Sequence, residues 1–311
     1  MARSFNSEMR CQQEWGWLLA TWLFLSGTAS GLFLLYEIAD LPEFFGLLSV
    51  ALLVLGGVVL VLEQGSPLRA WRAVSRARTS WLSRGVIFVV SFLVSSMLAL
   101  APAVLPGLAW EGGLIRFLHG IAGLCALMVV LYPGFFLANN RSIPFWHTPM
   151  LPLVLLTYAA VGASALVLVG SDYVTDALQR YRVLAVSTIL SNLVLVCVYL
   201  LWMHRGGSAA RESVRLINTS PLSWIFWGGV MLVGMVLPLV LVPWIQAAAA
   251  PAGLCMLLGC FLFRYCLMKV GVYVPAALAQ QGLDFSRLNR TSTELEREYA
   301  GAAASPTGGR S

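Results

Sequence analysis

The sequence predicts an all-α polytopic membrane protein with about eight transmembrane helices in a bundle. Composition gives the first reason. Of 311 residues, 59% are hydrophobic and 11% are charged, where soluble domains carry roughly a quarter of their residues as charged groups. The second reason is a set of apolar runs long enough to cross a bilayer as helix, which takes about 20 residues. They fall near 16–37, 45–63, 84–107, 114–137, 149–170, 183–203, 222–243 and 246–270. Third, 28 glycines and 11 tryptophans suit helices that approach closely in lipid and are anchored at its interfaces. The runs must be helical, because lipid cannot satisfy open backbone N–H and C=O groups. A disordered chain, a collagen-like chain and an ordinary soluble enzyme are excluded. The net charge of +6 is not a nucleic-acid signal, since most basic residues sit in short loops between apolar runs.

Residues 1–15 are polar, and the run that follows is longer than the roughly 7–15 apolar residues of a secretory signal. The first run therefore reads as a retained span. Within it, Gly27-Thr28-Ala29-Ser30-Gly31 puts two glycines four apart, a flat face for close packing. The second span ends at Glu63, before Gly65-Ser66-Pro67. Pro102 and Pro106 predict a kink or an early end in the third span. A tight turn near Pro243 and Trp244 separates the last two. The domain reading is a transmembrane eight-helix domain over 1–270 and a polar C-terminal tail over 271–311. The cysteines (Cys11, Cys125, Cys197, Cys255, Cys260 and Cys266) form no Cys-x-x-Cys pair. They read as small core residues.

Eight spans place both termini on one side, side A. Its short segments carry Arg3, Arg10, Arg69, Arg72, Arg76, Arg78, Arg84, Arg141, Arg205, Arg211 and Arg215. Side B has Arg116, Arg180 and Arg182, with Asp40, Glu43, Glu111, Asp172 and Asp176 nearby. The positive-inside rule puts side A, with both termini, in the cytoplasm. The expected location is the inner (cytoplasmic) membrane. The basic loop from Arg69 to Arg84 has a second explanation, a docked partner protein.

An ionisable group at a helix centre costs ~2.5–3.5 kcal/mol on insertion scales, so such groups are the first functional candidates. Glu37, Arg264 and Lys269 lie towards span ends, where snorkelling to the interface relieves much of the cost. Glu63 stands at a helix mouth beside the arginine cluster. It reads either as a proton-handling carboxylate or as a helix-end salt bridge with Arg69 or Arg72. Tyr132 precedes a Pro-Gly break. Its phenol is free to bond beyond its own helix, or it belongs to the interfacial aromatic belt. Gln12-Gln13-Glu14-Trp15-Gly16-Trp17 places polar donors next to indoles, suited to a flat ring or to interface anchoring. Glu14, Glu63 and Tyr132 share side A. Arg116 and His119, one turn apart near side B, are a candidate proton path, or His119 is a packing residue. The three histidines lie at different depths, which does not supply facing haem ligands.

Three blocks carry a family resemblance. The first is Trp15-Gly16-Trp17 through Trp22-Leu23-Phe24-Leu25-Ser26-Gly27 to Gly31. The second is Gly65-Ser66-Pro67-Leu68-Arg69-Ala70-Trp71-Arg72, with Arg76 and Arg78 through Trp81 and Arg84 to Gly85. The third is Tyr132-Pro133-Gly134-Phe135-Phe136-Leu137, then Ile143-Pro144-Phe145-Trp146 and Pro149 to Pro152. Over its first half the chain resembles the NrfD-like family of polysulfide reductase membrane subunits, which includes anchors of tetrathionate and dimethyl sulfoxide reductase type.

The resemblance implies a haem-free anchor that binds a quinone, menaquinone or ubiquinone, and holds no iron–sulfur cluster of its own. Its implied partners are a ferredoxin-like iron–sulfur subunit and a molybdopterin catalytic subunit, with the lipid bilayer around it and no nucleic acid. Electrons would pass between quinone and the nearest cluster at side A. The resemblance assigns quinone binding or proton handling to Glu63 and Tyr132, with Glu14, Gln13, Trp17 and Arg69 as further candidates. Arg72, Arg76, Arg78 and Arg84 would form the partner-docking loop. Pro133 departs from the family's Tyr-x-Gly block, where a small polar residue is usual. A cytoplasmic side A would suit an intracellular substrate, as in a phenylacetyl-CoA:acceptor oxidoreductase type of complex. Two alternatives stay open: an ion-translocating or transporter-type subunit, and a structural anchor without its own quinone site. No metal triad, Ser/His/Asp set or phosphate loop supports an enzyme acting alone.

Overall fold

The computed structural model describes residues 10–12, 15–63, 81–105, 107–108, 110–244 and 246–273. Eight helices among them are long and apolar enough to cross a membrane. They are α1 (Trp17–Ala39), α2 (Glu43–Glu63), α3 (Trp81–Val104), α4 (Gly112–Ala138), α5 (Met150–Val169), α6 (Leu178–Arg205), α8 (Trp224–Trp244) and α9 (Ala249–Lys269). The chain is an all-α polytopic membrane protein. The span limits agree with those read from hydropathy to within a few residues, except that α6 begins earlier. Helix α3 continues through Pro102 as far as Val104. Residues Trp224–Val236 of α8 are wound with π pitch.

α1 and α5 form the centre of the bundle. α1 packs on α2, α4, α5 and α9, and α5 on α1, α4, α6 and α9. Close approach is made by small residues, as expected where lipid gives no hydrophobic drive to association. A side-chain carbon at Gly31 of α1 would lie 2.5 Å from the Ala159 carbonyl of α5. Gly234 of α8 and Gly259 of α9 face each other in the same way. Outer faces are apolar and exposed, for example Val54, Leu55, Val58 and Leu62 of α2. Trp224 and Trp244, at opposite ends of α8, are 85% and 83% exposed, which matches an aromatic belt at each interface.

Two features lie outside the spans. α7 (Ser208–Thr219) is short and amphipathic. It buries Ala209, Ala210, Ser213, Val214 and Ile217 on one face and exposes Arg211 and Arg215. It lies on side A against α6 and the C-terminal strand. That strand, β2 (Val272–Tyr273), pairs antiparallel with β1 (Arg10–Cys11), Arg10 opposite Tyr273. The start of the tail is thereby fastened to the N-terminal segment.

Candidate functional site

The sequence candidates on side A fall into two groups. Gln13, Glu14, Arg69, Arg72, Arg76 and Arg78 lie outside the described residues. Glu63 closes α2, with its side chain outside the description, so a meeting of Glu14 and Glu63 with Tyr132 stays an expectation of the sequence. The others are placed. Trp17 is 61% exposed on the outer surface at the start of α1. The Arg84 guanidinium stacks on Trp81, 4.9 Å from the ring centroid.

Tyr132 is buried, 8% exposed. Its ring lies against Gly85 of α3, where any side chain would collide with it. Trp22 of α1 is buried as well, 2% exposed. Pro133 stays inside α4, and Gly134 brings α4 onto the Pro152 backbone of α5.

The next residues along, Leu23 and Pro133, border a narrow gap of about 10 Å³ with Gly27, Val130, Leu155 and Arg264, room for one water at most. Arg264 is 1% exposed. It does not snorkel: its side chain turns into the bundle. Nη1 donates to the Cys260 carbonyl at 3.0 Å, and the Cys260 thiol donates to the Tyr158 carbonyl at 3.7 Å. The guanidinium lies 6.0 Å from the Phe24 ring and 5.8 Å from the Tyr158 ring, within cation–π range. Gly27 makes the room, because a side-chain carbon there would be 2.8 Å from Nη2. Among the described residues no carboxylate pairs with Arg264. The Tyr158 hydroxyl, also buried, has no hydrogen-bond partner among them. Trp22, Tyr132, Leu155 and Arg264 each sit five or six residues from the side A end of their helix. At ~1.5 Å per residue this is one common depth.

Above this layer is an aromatic lid. Trp15 stacks on Trp146 with centroids 5.1 Å apart and planes 3° apart, and on Phe136 at 6.1 Å. The Trp146 indole donates to the Leu267 carbonyl at 2.9 Å. With its amide oriented to suit its neighbours, Gln12 donates to the carbonyls of Trp15 (3.3 Å) and Met268 (3.2 Å). The third sequence block therefore forms a structural corner, tied to both the N-terminal segment and α9.

A larger, apolar crevice of about 160 Å³ begins one turn deeper. Gly31, Leu34, Val130, Leu156, Ala160 and Thr188 are among its walls. Val130 borders both spaces. Apolar walls with a few aimed donors are what a flat, oxygen-bearing ring with an apolar tail requires. Among the described residues no three His, Cys, Asp or Glu side chains gather as metal ligands would.

On side B, Nδ1 of His119 lies 2.6 Å from Oε1 of Glu37. Each side chain is 22% exposed. With Tyr36, Asp40 and Arg116 they line an open cleft of about 680 Å³ between α1 and α4. Arg116 donates from Nε to the Gly112 carbonyl at 3.0 Å. The sequence placed all three groups near side B, and the fold brings His119 and Glu37 into direct contact.

Comparison with known proteins gives the lineage. Residues 6–276 match the family model described as polysulphide reductase, NrfD. Protein NrfD of Escherichia coli (strain K12) is 26% identical over 83% of this chain and 94% of its own length. A polysulfide reductase chain of Wolinella succinogenes is 24% identical, over 73% and 82%. A sulfite dehydrogenase subunit of Allochromatium vinosum is 29% identical, over 50% and 55%. With nearly its whole membrane-spanning length inside the family model, this multi-pass chain belongs to the NrfD (polysulphide reductase) family.

Proposed function

We propose that the chain is the membrane anchor subunit of an oxidoreductase complex, exchanging electrons between a quinone and a docked iron–sulfur subunit at side A. The observation that carries this reading is the side A layer itself. A buried phenol, seated against Gly85, stands two residues from Val130, which borders an apolar crevice. Family membership, and relatives named as parts of a reductase and a dehydrogenase, support it. Oxidation of a quinol to the quinone releases two electrons and two protons, and reduction takes up the same. The chain's part is to hold the ring within electron-transfer reach of side A and to exchange its protons. Tyr132 is suited to bond a ring oxygen, and Glu63 at the end of α2 to take or give a proton. In this reading Gln13, Glu14, Trp17 and Arg69 also take part in quinone binding or proton handling. Arg72, Arg76, Arg78 and Arg84 face a ferredoxin-like subunit, itself bound to a molybdopterin catalytic subunit. The arginine asymmetry puts side A and both termini in the cytoplasm, hence the partners too.

The test is purification of the complex from membranes. Co-purification with a cysteine-rich iron–sulfur protein and a molybdopterin protein is expected. Loss of quinone turnover in Tyr132→Phe and Glu63→Gln, with the complex intact, is the second expectation. Full turnover in both variants would remove the site assignment. Absence of both partners would favour a structural or transporter-type subunit instead.

A second activity is favoured by the His119–Glu37 contact. It is suited to exchanging protons with water on side B, which would make the anchor a proton-moving one.

A further inference from the structure

We infer that the outer face of α7, with the helix ends beside it, holds the headgroup of an anionic phospholipid in the side A leaflet. The surface is one that the quinone reading does not use, and the inference stands whether or not that reading holds.

α7 joins α6 to α8, and those two spans pack on each other. Its apolar face is already covered: Ala209, Ala210, Val214 and Ile217 are buried, Ala209 in a cluster with Val272 of the C-terminal strand. The helix therefore does not bind lipid by inserting an apolar face. What it turns outward is charge. Arg211 and Arg215, four apart on one face, are exposed, as is Arg205 at the end of α6. Glu212 is the only acidic residue between Arg205 and Trp224. It lies 3.5 Å from Nε of Arg215, whose side chain is 70% exposed, and a pair so exposed is weak. Arg211 donates to the Gly206 carbonyl over a long 3.4 Å. Guanidinium forks with donors to spare match a phosphate, which they grip bidentately.

The same face runs on to the membrane. Asn218, one turn after Arg215, accepts a hydrogen bond from the Trp227 indole at 3.0 Å. Trp227 and, one turn earlier, Trp224 are exposed on the spanning helix α8. On α6, Trp202 is exposed three residues before Arg205. Exposed indoles on spanning helices lie at headgroup level, and so set the depth of the arginines between them. A phosphate on Arg211 and Arg215 would carry its glycerol and acyl chains beside Trp227. This junction of spare guanidinium donors with outward indoles favours a lipid, because the indoles face acyl chains and not a docked water-soluble subunit.

The test is lipid retention. The full chain in detergent is equilibrated with equal amounts of phosphatidylglycerol and phosphatidylcholine, and the lipids it keeps are read by native mass spectrometry. Wild type should prefer the anionic lipid, and added salt should reduce the preference. The double variant Arg211→Gln with Arg215→Gln should lower it roughly 10-fold. Arg141→Gln with Arg180→Gln removes the same charge from two exposed positions elsewhere and should leave it within about twofold of wild type. Phosphatidylcholine kept in the same spectra is the folding control. A loss confined to the α7 variant supports the inference. A wild type without preference overturns it, as does an equal loss in both double variants. It is also overturned if the α7 variant keeps its phosphatidylglycerol but leaves the membrane without the partner subunits that wild type retains, which would give the patch to a protein.

Discussion

His119 Nδ1 and Glu37 Oε1 stand 2.6 Å apart, joining residues that are 82 positions apart in sequence. Glu37 is ten residues along α1 from Gly27, which touches Arg264. That separation is ~15 Å of helix. The side A layer and the Glu37 half of the side B pair are thus both carried by α1. His119→Ala is expected to leave electron transfer within about twofold, since the quinone layer is untouched. It should reduce proton movement across sealed proteoliposomes severalfold during quinol turnover. An unchanged ratio of protons to electrons would make the pair a purely structural contact, whose loss costs about 1–2 kcal/mol of stability.

Tyr132 is seated by the absence of a side chain at position 85. Gly85→Ala must push the ring aside or move α3 away from α4. The expected result is a tenfold or larger fall in quinone turnover with the spans still folded, close to the effect of Tyr132→Phe. If Gly85→Ala is silent while Tyr132→Phe is not, the ring's position is less constrained than its hydroxyl. Turnover of both variants, with circular dichroism as the folding control, decides this.

The spans were legible because hydropathy over about 20 residues reports burial in lipid directly. What hydropathy does not report is direction. α9 is apolar all round, so no periodic face says that Arg264 turns inward between Phe24 and Tyr158 instead of out to the interface. Only Gly27, on another helix, makes that room. α7 was missed for the opposite reason: twelve amphipathic residues are too short for a span search, although buried alanines alternate there with exposed arginines. The contact of His119 with Glu37 depends on how α4 packs on α1, and no local pattern encodes that. The Pro-Gly pair after Tyr132 marked a close-packed place, Gly134 against Pro152, but not the break read from it, since α4 continues through Pro133 to Ala138.

Packing at the bundle centre should be intolerant of volume. Gly31→Val places a branched side chain against the Ala159 carbonyl of α5. Overpacking of this kind costs about 1–3 kcal/mol, or more where backbone is the neighbour. A lowered unfolding midpoint in detergent is expected, along with loss of both side A and side B functions, because α1 carries both. Gly57→Val, where nothing lies within 4 Å of the new carbon, is the matched control and should leave stability within about 0.5 kcal/mol. Equal effects at the two positions would contradict the α1–α5 contact.

In the proposed reading the apolar crevice bordered by Val130 takes the apolar tail of the quinone. Gly27 and Gly31 on α1, and Leu155 with Ala159 on α5, step from the gap beside Arg264 to the crevice by single helical turns. Ala160 is half-buried on its wall, so a phenylalanine there can occupy the crevice without entering the core. Ala160→Phe should raise KM severalfold for a long-tailed quinol, since each excluded methylene forfeits up to about 0.8 kcal/mol. It should leave KM for a tail-less analogue unchanged and kcat unaffected with either. The comparison separates tail from ring because only the tail-bearing substrate uses the crevice. Equal shifts for both quinols would mean that the substitution disturbs the ring site. No shift for either would mean that the crevice is filled by a lipid acyl chain and the tail leaves by another route.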